Sequence, residues 1–170
     1  MQKITSAGTS LNQVPAIWNL IHNVDDTFSF GINRLLDYGG GKYDKFTEQL
    51  ANCGVENFVF DPYNRSTIHN SLVREALEQF PADAAVCSNV LNVIKEPAAR
   101  QEVLKNIREL TKIGGLVFFT VYEGKKTSRG KITTKGFQAH RPTKNYLREI
   151  KKVFPGATRK GKLIIATRGE

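Results

Sequence analysis

LLDYGGGKYD at residues 35–44 and FVFDPYN at 58–64 decide the fold. Arg34, Leu35, Leu36, Asp37 and Tyr38 form a short apolar run that Gly39, Gly40 and Gly41 cut off. Tyr43, Phe46, Leu50 and Cys53 then recur at helical spacing until Gly54 stops the pattern. The order is strand, glycine turn, helix. Phe58, Val59 and Phe60 repeat the strand signal and end on Asp61 before Pro62. Ile68, Leu72, Val73, Ala76, Leu77 and Phe80 mark the next helix, closed by Pro81.

Working outward, Ala84, Ala85, Val86 and Cys87 make a third strand, and Pro97 opens a helix through Val103, Ile107 and Leu110 that Gly114 and Gly115 end. The fourth strand is 116–122. These strands are apolar on both faces, as in a parallel sheet covered by helices on both sides. The fold class is therefore α/β, a doubly wound and mostly parallel sheet. Upstream, 11–23 predicts a leading helix with Ser10 as its cap and Ile17 and Trp18 in the core. Downstream, the Gly-, Lys- and Thr-rich stretch 123–138 predicts a mobile loop, followed by a helix capped by Thr143 and a last strand at 163–166. No internal repeat interrupts this plan.

The 170 residues, 40% apolar and 24% charged, describe an ordinary globular chain of one domain. It divides into a leading helical segment (1–33), a core (34–122) and a basic segment (123–170). No apolar run approaches the roughly 20 residues that span a bilayer, and 1–12 has neither a signal nor a transit pattern, so a soluble, cytoplasmic protein is expected. Cys53 and Cys87, with no CxxC spacing, are expected to be buried reduced thiols. His22, His69 and His140 are scattered singly, so no metal site is expected.

The net charge of +9 is unevenly spread: −3 over 1–61, +1 over 62–122 and +11 over 123–170. This one-sided excess suggests a surface for phosphates, most simply nucleic acid or a nucleotide-like substrate, against the alternative of a solvated basic face.

In an open parallel sheet the ligand crevice lies at the carboxyl ends of the strands where their order reverses. Glycines let backbone approach a ligand closely, and a carboxylate at the end of the second strand can accept both hydroxyls of a ribose. Asp61, 20 residues after Gly41, occupies that place. A pyrophosphate is disfavoured, because the position of the third dinucleotide glycine holds Asp44, and no GxxxxGK[ST] motif is present. Asp37, just before the glycines, suits a cationic ligand part such as an amino acid ammonium. Ribose plus amino acid without phosphate is the shape of S-adenosylmethionine.

Over residues 34–122 the sequence resembles class I S-adenosylmethionine-dependent methyltransferases. LLDYGGGKYD resembles the first family motif, FVFDPYN the strand carrying the ribose-binding acid, and AAVCSNVLNVI the strand and turn at the methionine end. SNVLNVIKEPAARQEVL followed by GGLVFFTVY is similar to compact methyltransferases, including those associated with DNA phosphorothioation. The resemblance implies an abbreviated Rossmann-like fold with Asp37, Tyr38, Gly39, Gly40 and Gly41 around the amino acid end of the cofactor. It also places Asp61 on the ribose, Pro62 and Tyr63 near the adenine, and Asn89 on the methionine side. The family's D-x-G-x-G-x-G becomes D-x-G-x-G-x-Tyr43 here. About 24 residues separate Asp61 from the next sheet strand, too few for the unit that normally brings an adenine-contacting acid.

The acceptor is less legible. The D/N-P-P-aromatic turn of amine-methylating DNA enzymes is absent, and Cys87 follows Val86 rather than a proline, which disfavours covalent cytosine chemistry. Direct in-line transfer, driven by proximity and orientation, remains. Asn92 and His140 are the catalytic candidates, the imidazole because its unperturbed pKa is about 6.5. Lys125, Lys126, Arg129, Lys131 and Arg141 are the candidate contacts to a nucleic acid or nucleotide-type substrate. A small-molecule methyltransferase and a non-catalytic nucleic-acid- or protein-binding module are the alternatives. The compactness and the likeness are compatible with a phage or mobile-element origin.

Overall fold

A computed structural model describes residues 14–22, 31–127, 129–133 and 136–170. Its elements in chain order are α1 (Ala16–His22), β1 (Arg34–Tyr38), α2 (Lys45–Asn52), β2 (Glu56–Phe60), α3 (Thr67–Gln79), β3 (Ala82–Ser88), a 3-10 turn (Leu91–Val93), α4 (Pro97–Leu110), β4 (Thr111–Thr120), β5 (Gly130–Thr133), β6 (Gly136–Ala139), α5 (Lys144–Ile150), β7 (Thr158–Lys160) and β8 (Leu163–Thr167). The main sheet runs β2-β1-β3-β4-β8-β7, and β5 pairs with β6 in a separate hairpin. The first four strands are parallel, whereas β8 lies antiparallel between β4 and β7. The chain steps outward from β1 to β2 and returns to the other side of β1 with β3, so the strand order reverses between β1 and β3.

Each strand buries both faces. Leu35, Ala84, Val86 and Phe118 face Ile17 of α1 and Phe46 and Leu50 of α2. Leu36, Ala85, Cys87, Val117 and Phe119 face Val73 and Leu77 of α3, Leu104 and Ile107 of α4, and Tyr146 and Ile150 of α5. This is the doubly wound arrangement, with the alternation along each strand feeding two separate cores. Burying one such Leu or Ile side chain contributes about 1.5–3 kcal/mol, and on that scale the two cores hold both helical layers. Trp18 packs edge-on against Phe46 at 5.6 Å and stays half-buried.

Several local expectations need correcting. α4 stops at Leu110, where Thr111 already pairs with Ala82. Gly114 and Gly115 therefore fall inside β4, at an irregularity of the ladder rather than at a helix end. Cys53, just past α2, is exposed, because that corner faces outward; Cys87 is buried in β3. Tyr43 precedes α2 instead of starting it. Part of 123–138 is ordered as the β5–β6 hairpin, and β7 is an extra short strand whose residues Thr158, Arg159 and Lys160 carry no apolar signal. Thr143 makes no side-chain cap; its backbone N–H donates to Glu123 Oε1 at 2.8 Å. α1 is shorter than the stretch 11–23, and Ser10 lies outside the described residues.

Between Asp61 and β3 there is room only for α3, so β3 returns directly to β1 and β2 remains the sheet edge. The fold is abbreviated on this side, as the spacing implied. Among the described residues no helix is long and apolar enough to cross a membrane, and no cluster of three His, Cys, Asp or Glu side chains is present.

Candidate functional site

The reversal between β1 and β3 opens a cleft of about 960 Å³ at the carboxyl ends of the strands, within the range of ordinary ligand sites. Its floor is the glycine turn. Gly39 has φ +78°, a region that L side chains rarely occupy. A Cβ there would lie 2.3 Å from Val90 Cγ2, and a Cβ on Gly40 would lie 2.3 Å from Asp37 Oδ2. The Gly39 N–H donates to the Phe60 carbonyl at 2.7 Å, tying the turn to the end of β2. Arg65 fastens it from the same side: Nε donates to the Gly41 carbonyl at 2.7 Å and Nη2 to Asp44 Oδ1 at 2.6 Å.

Asp61 faces the cleft and is only 4% exposed. Its Oδ1 accepts the backbone N–H groups of Tyr63 and Asn64, and its Oδ2 accepts the Gly41 N–H and the Asn64 side-chain amide, all at 2.9–3.0 Å. The carboxylate thus shapes both the glycine turn and its own loop. Three of the four donors are backbone; the Asn64 amide is the one on a rotatable side chain. Buried Asn70 clamps the Asp61 peptide, accepting its N–H at 2.8 Å and donating to its carbonyl at 3.0 Å.

Asp37, on β1 beneath the turn, is 3% exposed. Burial first, and then the neighbouring Asp61 charge, push its carboxyl up from the ordinary 3.8 to about 7, against a hydrogen bond from Asn57 and the charge of Arg65. A buried carboxyl this poorly compensated is suited to a ligand cation. The turn that admits no side chain, the Asp37 carboxyl and Asp61 together fit a ligand carrying an ammonium and a ribose.

Asp37, Tyr38, Gly39, Gly40, Gly41, Asp61, Pro62, Tyr63, Asn89 and Asn92 all line this one cleft. Tyr63 is 54% exposed, lying open at its rim. Asn89, at the end of β3, has φ 59° and donates its N–H to the Thr120 carbonyl at 2.9 Å, a left-handed conformation that Asn tolerates better than most residues. Asn92, in the 3-10 turn, is 1% exposed. The β5–β6 hairpin packs on this turn, and Gln138 of β6 and Tyr122 complete the lining at that end.

The basic-segment candidates are arranged differently. Lys125, Arg129 and Lys131 are exposed, and Lys126 pairs with Glu123 at 3.3 Å. Arg141 turns inward to Glu149 Oε1 at 2.9 Å and stacks over Tyr146 at 4.4 Å. His140 is not among the cleft-lining residues; its Nδ1 accepts the Lys125 N–H at 3.4 Å, and its ring meets Tyr122 edge-on at 6.0 Å.

Sequence reasoning missed Arg65, Asn70, Arg100 and Glu149. Arg100 is 5% exposed; its Nε and Nη2 hold both oxygens of Glu149 at 2.6 and 3.0 Å, and its Nη1 donates to the carbonyls of Ile94 and Lys95 at 2.8 Å. It pins the chain just after Asn92 to α5. Burial raises the Glu149 carboxyl, yet the bonds from Arg100 and then Arg141 hold it below its usual range. A charged residue on the inner face of a helix, as Arg100 is beside Leu104 and Ile107, is the one signal that could have revealed it.

Residues 13–151 match the family described as Methyltransferase domain. The fold is similar to the sugar N-methyltransferase KedS8 from Streptoalloteichus sp ATCC 53650 (TM-score 0.62, 12% identity, covering 97% of this chain and 90% of that one). It is also similar to the Burkholderia thailandensis 1,6-didemethyltoxoflavin-N1-methyltransferase, solved with 1,6-didemethyltoxoflavin and S-adenosylhomocysteine (TM-score 0.65, 12% identity, 92% and 80%). Human N-acetylserotonin methyltransferase, solved with SAM, is a further likeness (TM-score 0.56, 17% identity), but this chain covers 82% of itself and only 48% of that protein. No curated protein matches. With most of its length inside the matched span, the chain belongs to the methyltransferase domain family of S-adenosylmethionine-dependent enzymes.

Proposed function

We propose that the protein transfers the methyl group of S-adenosylmethionine directly to a nucleic acid or nucleotide-type acceptor. The observation that carries this is the placement of the basic segment: Lys125, Arg129 and Lys131 are exposed on the stretch between Tyr122 and Gln138, both of which line the cleft. Phosphate contacts from such a rim position an acceptor without reading its sequence. The likeness of SNVLNVIKEPAARQEVL to phosphorothioation-associated methyltransferases supports the same setting.

The donor supplies a methyl group on a sulfonium that is already activated for displacement. The glycine turn brings the backbone of Gly39, Gly40 and Gly41 against it, Asp37 meets its ammonium and Asp61 its ribose. Pro62 and Tyr63 flank the adenine, and Asn89 stands on the methionine side. The remainder of the cleft aligns the acceptor, and proximity and orientation provide the main rate gain.

A small-molecule acceptor is the second reading, favoured by the volume of the cleft, which holds a donor and a compact acceptor together. The names of KedS8 and the toxoflavin enzyme point the same way for those proteins. Labelled methyl transfer into RNA, DNA, nucleoside monophosphates and uncharged acceptors separates the two. The proposal expects charge removal at Lys125, Lys126, Arg129 and Lys131 to raise the acceptor KM and flatten its salt dependence, with S-adenosylhomocysteine affinity unchanged. Turnover confined to uncharged acceptors, indifferent to those four substitutions, overturns it.

A further inference from the structure

The acceptor end of the cleft contains a buried hydrogen-bond acceptor with nothing to accept. Asn92 is 1% exposed, lines the cleft, and its Oδ1 has no partner among the described residues. Buried polar atoms are nearly always paired, so an orphan that opens on a ligand cleft is an atom waiting for a ligand donor. Asn92 is also held firmly. Its turn is backed by the hairpin on one side and by Arg100 on the other, through the Ile94 and Lys95 carbonyls.

The cleft equally shows what it does not offer. Among the described residues that line it there is no histidine or cysteine, and its carboxylates are Asp37, Asp61, Glu96 and Glu102. Asp37 lies under the glycine turn, and Asp61 accepts four hydrogen bonds. Glu96 and Glu102 are exposed, one at the start of α4 and one along it, and Glu102 pairs with Lys105 at 2.8 Å. A hydroxyl acceptor must shed its proton to a base as it attacks, and no base stands beside Asn92. A neutral amine nitrogen needs none, since its lone pair attacks first and its proton leaves afterwards.

We infer that the methyl-accepting atom is a neutral amine nitrogen, in this setting the exocyclic amine of a nucleobase, and that Asn92 Oδ1 accepts one of its N–H groups. Held by that N–H, the nitrogen lone pair faces the donor. The N–C bond forms as the S–C bond to the methyl group breaks, its electron pair goes to sulfur, and the surplus proton on the methylated nitrogen passes to water. This rests on the nucleotide reading above for the carrier of the amine, but the assignment of the amine itself rests on Asn92.

The test compares adenosine and cytidine monophosphates with uridine monophosphate and with aniline, locating the methyl group by fragmentation mass spectrometry. Methylation of the exocyclic nitrogen of either amine-bearing nucleotide, and not of the uridine nucleotide, is expected. Methyl on a ribose hydroxyl overturns the amine assignment while keeping the nucleotide reading; methyl on aniline alone does the reverse; transfer to none of the amines overturns the assignment. Calorimetric binding in the presence of S-adenosylhomocysteine provides a readout without turnover. Wild type should prefer adenosine over uridine monophosphate about tenfold, Asn92→Ala should lose the preference with S-adenosylhomocysteine affinity within about twofold, and Asn92→Asp, which still presents an oxygen, should keep it. An unchanged preference in a folded Asn92→Ala protein removes Asn92 from the role.

Discussion

The Gly41 backbone N–H donates to Asp61 Oδ2 across the tops of β1 and β2 at 2.9 Å. The two halves of the donor site, the glycine turn and the acid at the next strand end, are thereby one hydrogen-bonded unit before any ligand arrives. Preorganisation of this kind spares the ligand the cost of ordering the loop.

Asp61→Ala removes four accepted bonds at once, and its effect on binding is inseparable from the collapse of the turn. Asp61→Asn keeps the shape but loses the charge and one acceptor. We expect it to weaken S-adenosylhomocysteine binding by about 1.5–3 kcal/mol, the scale of a hydrogen bond to a charged group. Calorimetry alongside denaturant unfolding checks this, and an affinity within twofold of wild type places the ribose elsewhere.

Gly39→Ala meets two obstacles: a positive φ and a Cβ 2.3 Å from Val90 Cγ2. Val90→Ala relieves only the second. The single variant should lose donor binding by more than about tenfold, and Gly39→Ala/Val90→Ala should recover part of it, with the residual set by the roughly 1–2 kcal/mol of left-handed strain. Full recovery in the double variant would mean that the turn tolerates a side chain and that its closeness to the ligand is incidental.

The fold and the donor half of this cleft were legible because they depend on short-range pattern. A strand cut by Gly39, Gly40 and Gly41, and a second strand ending on Asp61, fix the sheet order locally. The rest depends on long-range pairing. Thr111 enters β4 through its register with Ala82, and β7 forms only because β8 offers it an edge. Arg141 looks like a surface cation in a run of Lys and Arg, yet Glu149, eight residues on, draws it inward. Asn92 was visible as a residue type after a strand, but its orphaned oxygen is a property of packing.

Arg100 and Glu149 form the pair with the largest expected stability effect. Both are largely buried, with side-chain exposures of 6% and 18%, and they share two short bonds. Removing one partner leaves the other charge without its counterion. Glu149→Gln should destabilise the protein by about 3–5 kcal/mol, lowering Tm on the order of 10 °C. Because Arg100 also holds the segment after Asn92, Arg100→Lys, which cannot reproduce the planar fork, should lower kcat more than it changes donor affinity. Thermal unfolding and a comparison of kcat with S-adenosylhomocysteine affinity decide whether the pair is only structural.

Asp37 predicts opposite pH trends for stability and for binding. Its carboxyl titrates near 7 in the folded protein but near 3.8 once unfolded, so between those values the folded state holds a proton that the unfolded state has released. Its contribution to stability is complete below about pH 4 and is lost as pH rises towards 7. The donor's ammonium prefers the ionised carboxyl, so donor binding should strengthen as pH rises through 7, the range in which the free protein loses that stabilisation. Asp37→Asn should flatten both slopes: denaturant midpoints at pH 5 and pH 8 move together, and S-adenosylhomocysteine affinity becomes weak and nearly constant. If the variant keeps the wild-type pH dependence of binding, the ammonium is held by another group, and the carboxyl beneath the glycine turn serves only the fold.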